Sequence, residues 1–501
     1  MSLLDKLETD SGRPEKIDAS PRLREVFMGY THSGYAFIDA LAEYIDNSFQ
    51  QGLKQKDPAA VRIEVSVNAD GPIYYVEIKD NAGGAKRSDA VNFIRPGASG
   101  NDSSSDSFGL FGVGGKVAGL SSVSKAVIIV SKACGDPGFW VKLDRTDIET
   151  RLDWQFDVMP FPKDFGVSDG QTKIILYGVP SEVSGKLTNH YLFDYRKRYA
   201  YLLMRDNGNV PKIYLNGSKV EPYDPINDML NAKEAPSGCE PKKYSKNKSI
   251  NVSFENNETG PKEIKMVATV GLRPSGSTIG ESGAAIYCND RLIERHSQLA
   301  LYELFDTKDS AIHPGSDKAW INAVVRINGP AKLMPWTTRK DSLDSSSSTY
   351  PILRDFLKEA YEDFLEKQIG PARETLRSNP DYGRRKLYVS DILIDSYARK
   401  LKAGDLHKET VRPVILNSQS FAKAIGKAKG KIDIVRPINN DKIINLCGSV
   451  GRDKVENARR LVETENGLNN ITNADLVRYM VEHIIKCLGG AMHEEADKLV
   501  N

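Results

Sequence analysis

The chain has few cysteines, and none stands in a spacing that usually holds a metal or a disulfide framework. Only five occur among 501 residues, far apart and without a C-x-x-C pair. Structural zinc sites and disulfide-rich folds are therefore disfavoured, and a reducing compartment is expected. The seven histidines likewise show no metal-ligand spacing.

Long apolar runs and an excess of charge of one sign are also lacking. No stretch approaches the roughly 18 apolar residues that a membrane-spanning helix needs. The opening MSLLDKLETDSGRPEK is charged and lacks the apolar segment of a secretory signal. Lys and Arg number 69 against 67 Asp and Glu, so there is no bulk basic field for nucleic acid. We expect a cytoplasmic protein (nuclear in a eukaryote) without a membrane partner, in which DNA binding would need local patches.

What is present is the composition of an ordinary globular protein, long enough for two to four domains. Apolar residues at helical spacing predict a helix over residues 35–55, followed by strand-like runs to Tyr177. A second α/β region is predicted to about Tyr350, with Lys242–Thr259 interpreted as a polar insertion and Ala284–Ile293 as one strand-like run. Helical patterns dominate beyond it.

Within the predicted helix, Glu43, Asp46 and Asn47 form the pattern E-x-x-D-N. Residues 43 and 47 are four apart, so both side chains lie on one face. A carboxylate can polarise a water molecule there, and an amide oxygen can bind a hard cation such as Mg²⁺. Taken alone, the pattern is more often a solvated helix face.

Three further motifs follow in order. Asp80-Asn81-Ala82-Gly83-Gly84 ends a strand, Gly109-x-x-Gly112-x-Gly114-Gly115-Lys116 begins a helix, and Gly170-Gln171-Thr172 leads into another strand. Backbone N–H groups at a glycine-rich helix start bind anions such as phosphate. The Gly109–Lys116 motif is not a Walker loop, because Lys116 is followed by Val117 rather than Ser or Thr. It is not a Rossmann fingerprint either, because the G-x-G-x-x-G pattern that starts at Gly112 ends in Val117.

Together and in this order, the four motifs resemble those of the GHKL superfamily of gyrase, heat-shock chaperone, histidine kinase and MutL ATPases, over about residues 23–179. The resemblance implies a Bergerat fold that binds ATP and Mg²⁺ under a lid. Ala82 departs from the family pattern, which expects glycine at that position.

The same resemblance implies a role for each matching residue. Glu43 would be the general base and Asn47 the Mg²⁺ ligand, while Asp80 would bind the adenine amino group. The remaining nucleotide-binding positions implied are Gly84, Gly112, Val113, Gly114, Gly115, Lys116 and Thr172.

Two later segments resemble MORC-type ATPases, in particular a compact, prokaryotic-like relative. They are Ile286-Tyr-Cys-Asn-Asp-Arg-Leu-Ile293 and Pro335-Trp-Thr-Thr-Arg-Lys340-Asp341, and Thr31-His32-Ser33 also fits that family. The resemblance implies that Lys340 reaches the γ-phosphate and takes part in catalysis. A solvated charge cluster is the alternative for residues 339–341.

The fold class expected is α+β. The domains predicted are an N-terminal arm (1–22), a Bergerat-fold ATP-binding domain (23–180, with a lid at about 95–116), a transducer of ribosomal-protein-like βαβ fold (181–350), a helical connector (351–378) and a mainly helical C-terminal domain (379–501). The resemblance implies an ATP hydrolase that forms an ATP-dependent homodimer and clamps DNA. A chaperone-like ATPase that acts on proteins is the alternative, which the near-zero net charge favours.

Overall fold

The computed structural model describes residues 22–32, 34–95, 97, 114–151, 153–162, 164–253, 259–274, 282–299, 317–379 and 387–403. The predicted lid, except for its ends, and the C-terminal region from residue 404 lie outside these ranges. Within them the chain combines helices with two β-sheets, which confirms the α+β class.

The described helices accompany two β-sheets. They are α1 (Leu23–Thr31), α2 (Phe37–Leu53), α3 (Val91–Ile94), α4 (Gly114–Ser122), α5 (Arg145–Thr150), α6 (Glu182–Lys186), α7 (Leu192–Arg198), α8 (Ala200–Met204), α9 (Thr349–Phe364), α10 (Gly370–Arg377) and α11 (Val389–Ala403). π-helical turns precede α7 at Leu187–Tyr191 and α10 at Leu365–Ile369.

The strands fall into an eight-stranded and a five-stranded sheet. They are β1 (Arg62–Asp70), β2 (Ile73–Asp80), β3 (Ala126–Lys132), β4 (Phe139–Asp144), β5 (Met159–Pro160), β6 (Gln171–Val179), β7 (Lys212–Leu215), β8 (Ser218–Lys219), β9 (Lys242–Ser253), β10 (Thr259–Leu272), β11 (Gly283–Cys288), β12 (Arg291–Ser297) and β13 (Ile321–Asn328).

The first sheet has the order β5-β4-β3-β6-β2-β1-β7-β8 and is antiparallel apart from the β1–β7 pair. Helix α2 covers it with an apolar stripe that includes Leu41, Ile45 and Phe49, all fully buried. The same core runs on to Val220. The first sheet and its core therefore continue past residue 180, where the sequence pattern predicted the first domain to end.

The second sheet has the order β12-β11-β13-β10-β9, with β11 and β13 parallel. On β10, alternate residues from Ile264 to Leu272 point into a core that α9 closes with Leu353, Phe356 and Leu357. This period of two is the pattern of a strand with one buried face.

Two interpretations of this region were wrong. Lys242–Thr259 is not a polar insertion, because residues 242–253 form the edge strand β9, whose many lysines remain in solvent. The run Ala284–Ile293 is not one strand but a hairpin. Asn289 and Asp290 take positive φ angles of 48° and 69°, which these two residue types tolerate better than most and which close a two-residue turn.

Candidate active site

Helix α2 carries the predicted acid–amide pair and faces the rest of the site. Glu43 and Asp46 are 3% and 1% exposed, whereas Asn47 is exposed. A buried carboxylate is costly unless cations or hydrogen-bond donors accompany it. Glu43 and Asn47 are about one helical turn apart, so the buried carboxylate and the exposed amide lie next to each other along α2.

The partner of Glu43 comes from the second sheet region. The ammonium of Lys340 donates to both carboxylate oxygens of Glu43, at 3.0 and 2.9 Å, and lies 3.3 Å from Oδ2 of Asp46. Lys340 is itself 6% exposed. It is therefore part of a buried ionic cluster and not of a solvated charge cluster.

The loop that carries Lys340 is closed tightly on itself. Trp336 and Leu343 form a bridge across its base, and the Lys340 N–H donates to the carbonyl of Thr337 at 2.9 Å. Lys340 takes a φ of 54°, a left-handed conformation that costs a non-glycine residue energy. Such backbone strain is concentrated at functional sites in proteins.

A second cation completes the cluster. Nε of Arg291 lies 2.7 Å from Oδ2 of Asp46, and Nη1 donates to the Lys340 carbonyl at 2.8 Å. The hydroxyl of Tyr199 donates to Oδ1 of Asp46 at 2.9 Å. Two carboxylates thus face two cations in the interior.

These surroundings shift the pKa values of Glu43 and Asp46 in opposite directions. Burial raises the pKa of Glu43 and the Asp46 charge adds to the rise, although Lys340 and Arg291 oppose it. Burial also acts to raise the pKa of Asp46, but Arg291, Lys340 and the Tyr199 hydrogen bond outweigh it and lower that pKa. Glu43 is therefore the better proton acceptor of the two, while Asp46 stays ionised.

The start of α4 lies against Glu43 and Asn47. A Cβ on Gly114 would fall 2.2 Å from Oε2 of Glu43, and one on Gly115 would lie 3.4 Å from Nδ2 of Asn47. The hydroxyl of Tyr44 donates to the Gly115 carbonyl at 2.6 Å. A side chain at position 114 would have to displace the Glu43 carboxylate, and the first N–H groups of α4 lie at the same end of the site.

The predicted adenine end lies at the end of β2. Ser48, next to Asn47 on α2, donates to Oδ2 of Asp80 at 2.6 Å, and the Ala82 N–H donates to Oδ1 at 2.9 Å. Burial raises the pKa of Asp80, and these two hydrogen bonds act against the rise. Ala82 thus makes this turn despite replacing glycine.

Sheet pairing brings the Asp80–Gly84 and Gly170–Thr172 motifs together. Asp80 and Thr172 are paired across β2 and β6, and the Gly83 N–H donates to the Gly170 carbonyl at 2.9 Å. Gly84 has a φ of 65°, and a Cβ on it would fall 2.1 Å from the Lys132 carbonyl oxygen. A side chain at 84 would therefore force the backbone apart.

The described residues include part of the predicted phosphate-binding segment. Lys116 lies on the first turn of α4 and is buried. Gly112 and Val113 lie outside the described residues, as does Ser33. The described residues contain no group of three or more His, Cys, Asp or Glu side chains suited to a metal.

Sequence reasoning missed several residues that hold the site. Ser48 could have been found, since it directly follows the E-x-x-D-N pattern. Ser131, whose hydroxyl lies 2.8 Å from that of Thr172, carries no motif signal. Arg291 was quoted only as part of a strand motif, and nothing local relates it to Asp46.

A known protein family matches part of the N-terminal half of the chain. Residues 35–165 match the family described as histidine kinase-, DNA gyrase B-, and HSP90-like ATPase. The match encloses Glu43, Asn47, Asp80 and the start of α4, and it supports the assignment of this N-terminal part to the GHKL superfamily. No curated protein matches the chain.

Every helix of the described part is too short or too polar to cross a bilayer.

Proposed function

We propose that this protein binds ATP between α2, the start of α4 and the β2–β6 sheet edge, and hydrolyses it with Glu43 as general base. The observation that carries the proposal is the contact of Glu43, which lies in the part that matches a GHKL-type ATPase family, with Lys340 of the second sheet region. The buried acid has a raised pKa and lies under a glycine-lined helix start, an arrangement suited to phosphate chemistry.

The nucleotide would be held at two ends. Asp80 would accept the adenine amino group, with Thr172 beside it and Gly84 behind it. Gly114, Gly115 and Lys116, together with Gly112 and Val113, would hold the phosphates at the beginning of α4. Helix α2 links the phosphate end to the adenine end, because Asn47 would face the phosphates and its neighbour Ser48 donates a hydrogen bond to Asp80.

The residues present fit a magnesium ion that is shared with the nucleotide. Asn47 offers an exposed amide beside Gly115, where the phosphates would lie. Mg²⁺ commonly takes one or two protein oxygens and completes its shell with phosphate oxygens and water. When bound, the ion would neutralise developing charge on the phosphates.

Proton transfer to Glu43 would be easier once Lys340 moves away from it. Both oxygens of Glu43 accept hydrogen bonds from the Lys340 ammonium, which lowers the pKa of Glu43 and weakens it as a base. A terminal phosphate group would compete for that ammonium. Glu43 could then orient the water and take its proton, while Lys340 stabilises phosphate charge.

This exchange would couple the nucleotide to the second sheet, since Lys340 lies on a loop of that region. We propose on this basis an ATP-gated homodimeric clamp of MORC-like type, with the second region as transducer and DNA as the client. A chaperone-like ATPase acting on protein clients is the second candidate. The nearly balanced charge of the chain favours it, because DNA clamps rely on basic surfaces.

One experiment tests both levels. ATPase rate and oligomeric mass are measured with and without duplex DNA across a salt series. ATP-dependent dimers and salt-sensitive stimulation by DNA are expected for the DNA clamp. Turnover unaffected by DNA would favour protein clients. Absence of both nucleotide binding and turnover would refute the ATPase itself.

A further inference from the structure

We propose that Arg291 is a positioning residue that sets where the Lys340 ammonium lies, and that the preference for ATP over ADP depends on it. This role rests on the proposed function, because it concerns how Lys340 meets the terminal phosphate. Arg291 begins β12 immediately after the Asn289–Asp290 turn.

Its guanidinium joins the two halves of the site. Nε pairs with Asp46 on α2 at 2.7 Å, and Nη1 donates to the Lys340 carbonyl at 2.8 Å. The first contact fixes Arg291 to the helix that carries Glu43. The second fixes the backbone from which the Lys340 side chain extends.

Both the turn before Arg291 and the loop that carries Lys340 are held in place, so the hydrogen bond between them can fix the position of Lys340. The turn before Arg291 is held by Asp290, which accepts from Arg205 and Arg326 at 2.9 and 2.6 Å. On the loop, Lys340 has a left-handed backbone with φ 54°, so its carbonyl direction depends on such an anchor. The guanidinium meets Asp46 as an ion pair and the Lys340 carbonyl by a directed hydrogen bond, whereas a lysine ammonium would act as a point charge.

Stability alone does not account for a fully buried arginine here. Arg291 is 0% exposed, and neither its Nε nor its Nη2 makes a directed hydrogen bond among the described residues, although Nε is paired electrostatically with Asp46. A buried, incompletely satisfied guanidinium is a costly way to stabilise a fold. The cost is consistent with a residue retained to place its neighbours.

The test compares nucleotide preference, defined as the dissociation constant for ADP divided by that for a non-hydrolysable ATP analogue. Both ligands sample the same folded fraction, so partial unfolding leaves the ratio unchanged. Arg291→Lys retains a positive charge for Asp46 but not the geometry of the fork. The ratio is expected to fall about tenfold, the effect of losing one hydrogen bond of a charged group.

The same substitution is then made in a Lys340→Ala background. If Arg291 acts through Lys340, the preference is already lost there and Arg291→Lys changes it no further. An equal fall in both backgrounds would overturn the proposal, and so would an unchanged ratio in Arg291→Lys alone.

Arg295→Gln is the matched control. Arg295 lies on the same strand and forms an ion pair with Asp194 on α7, but it does not contact Lys340. It should retain the wild-type ratio, and a fall as large as that of Arg291→Lys would overturn the specific role. If the wild-type protein binds neither nucleotide, the proposed function itself fails. If the wild type prefers ATP and Arg291→Lys keeps that preference, only the role of Arg291 fails.

Discussion

The Nζ of Lys340 lies 2.9 Å from Oε2 of Glu43, although 297 positions separate the two residues in the chain. This ion pair connects the helix of the first sheet to a loop of the second region. A change in the charge of Glu43 should therefore change how strongly the Lys340 loop is held against α2.

Removing the acidity of Glu43 tests its role as base. Glu43→Gln should retain nucleotide binding and lower turnover by about 10²- to 10⁴-fold, the usual contribution of a general base. Steady-state ATPase assays and calorimetric titration measure the two effects. Glu64→Gln, which changes an exposed acid on β1, serves as control. Wild-type turnover in Glu43→Gln would remove Glu43 from this role.

Asn47→Ala should remove the gain in nucleotide affinity that Mg²⁺ provides. The amide oxygen is the protein ligand proposed for the ion, and alanine offers none. Isothermal titration with and without Mg²⁺ measures this difference. Gln51→Ala, an exposed change one turn further along α2, should retain it. An equal Mg²⁺ dependence in both variants would contradict the assignment.

Lys340→Met should bind nucleotide yet lose turnover and dimer closure. It should also destabilise the fold, by about 3 kcal/mol, because Glu43 and Asp46 would retain only Arg291 as a cation in the interior. Denaturant unfolding measures the loss.

Adding Glu43→Gln to Lys340→Met provides the control for that effect. The double variant removes the uncompensated charge and should recover much of the free energy of unfolding without recovering turnover. A fully stable and active Lys340→Met would refute the coupling.

Nucleotide affinity should decrease as the pH rises through about 8. Burial, with a smaller contribution from the Arg95 charge, lowers the pKa of Lys116 to about 8. The ammonium that attracts phosphate is therefore present below this pH and lost above it. Titrations from pH 7 to 9 measure the decrease, which Lys116→Met should abolish.

Protein stability should respond to Lys116 in the opposite direction. Because the pKa of Lys116 is lower in the folded than in the unfolded chain, the unfolded chain binds more protons between these values. The Lys116 contribution to the free energy of unfolding then increases with pH. A loss of nucleotide affinity, together with a difference in unfolding free energy between the wild type and Lys116→Met that grows with pH, would fit. A pH-independent affinity would not.

Gly84→Ala should impair folding and adenine binding together. A methyl group there would meet the Lys132 backbone at 2.1 Å. Gly71→Ala is the matched control, since Gly71 has a similar φ of 58° but nothing within 4 Å of the added methyl group. The control should lose only about 1–2 kcal/mol, the cost of the left-handed backbone. Equal losses in thermal unfolding would contradict the steric argument.

Local sequence predicted the elements that depend on short-range spacing. The period of α2 and the i, i+4 relation of Glu43 and Asn47 follow from helix geometry. The strand that ends at Asp80 and the helix that begins near Gly114 also follow from local pattern. The hairpin at Asn289–Asp290 was missed because apolar residues continue on both sides of its two-residue turn. Strand β9 was missed because its lysines suit an exposed edge and hide the pattern of a strand.

The sequence by itself predicted a GHKL-type site, because the acid, amide and glycines that carry the resemblance lie within short motifs. Only the tertiary structure decided that Lys340 and Arg291 share one buried cluster with Glu43 and Asp46. Which cations meet the two acids depends on how the two sheet regions pack. The free energy of burying a charge depends on all the charges and hydrogen bonds near it, and local sequence spacing does not specify these.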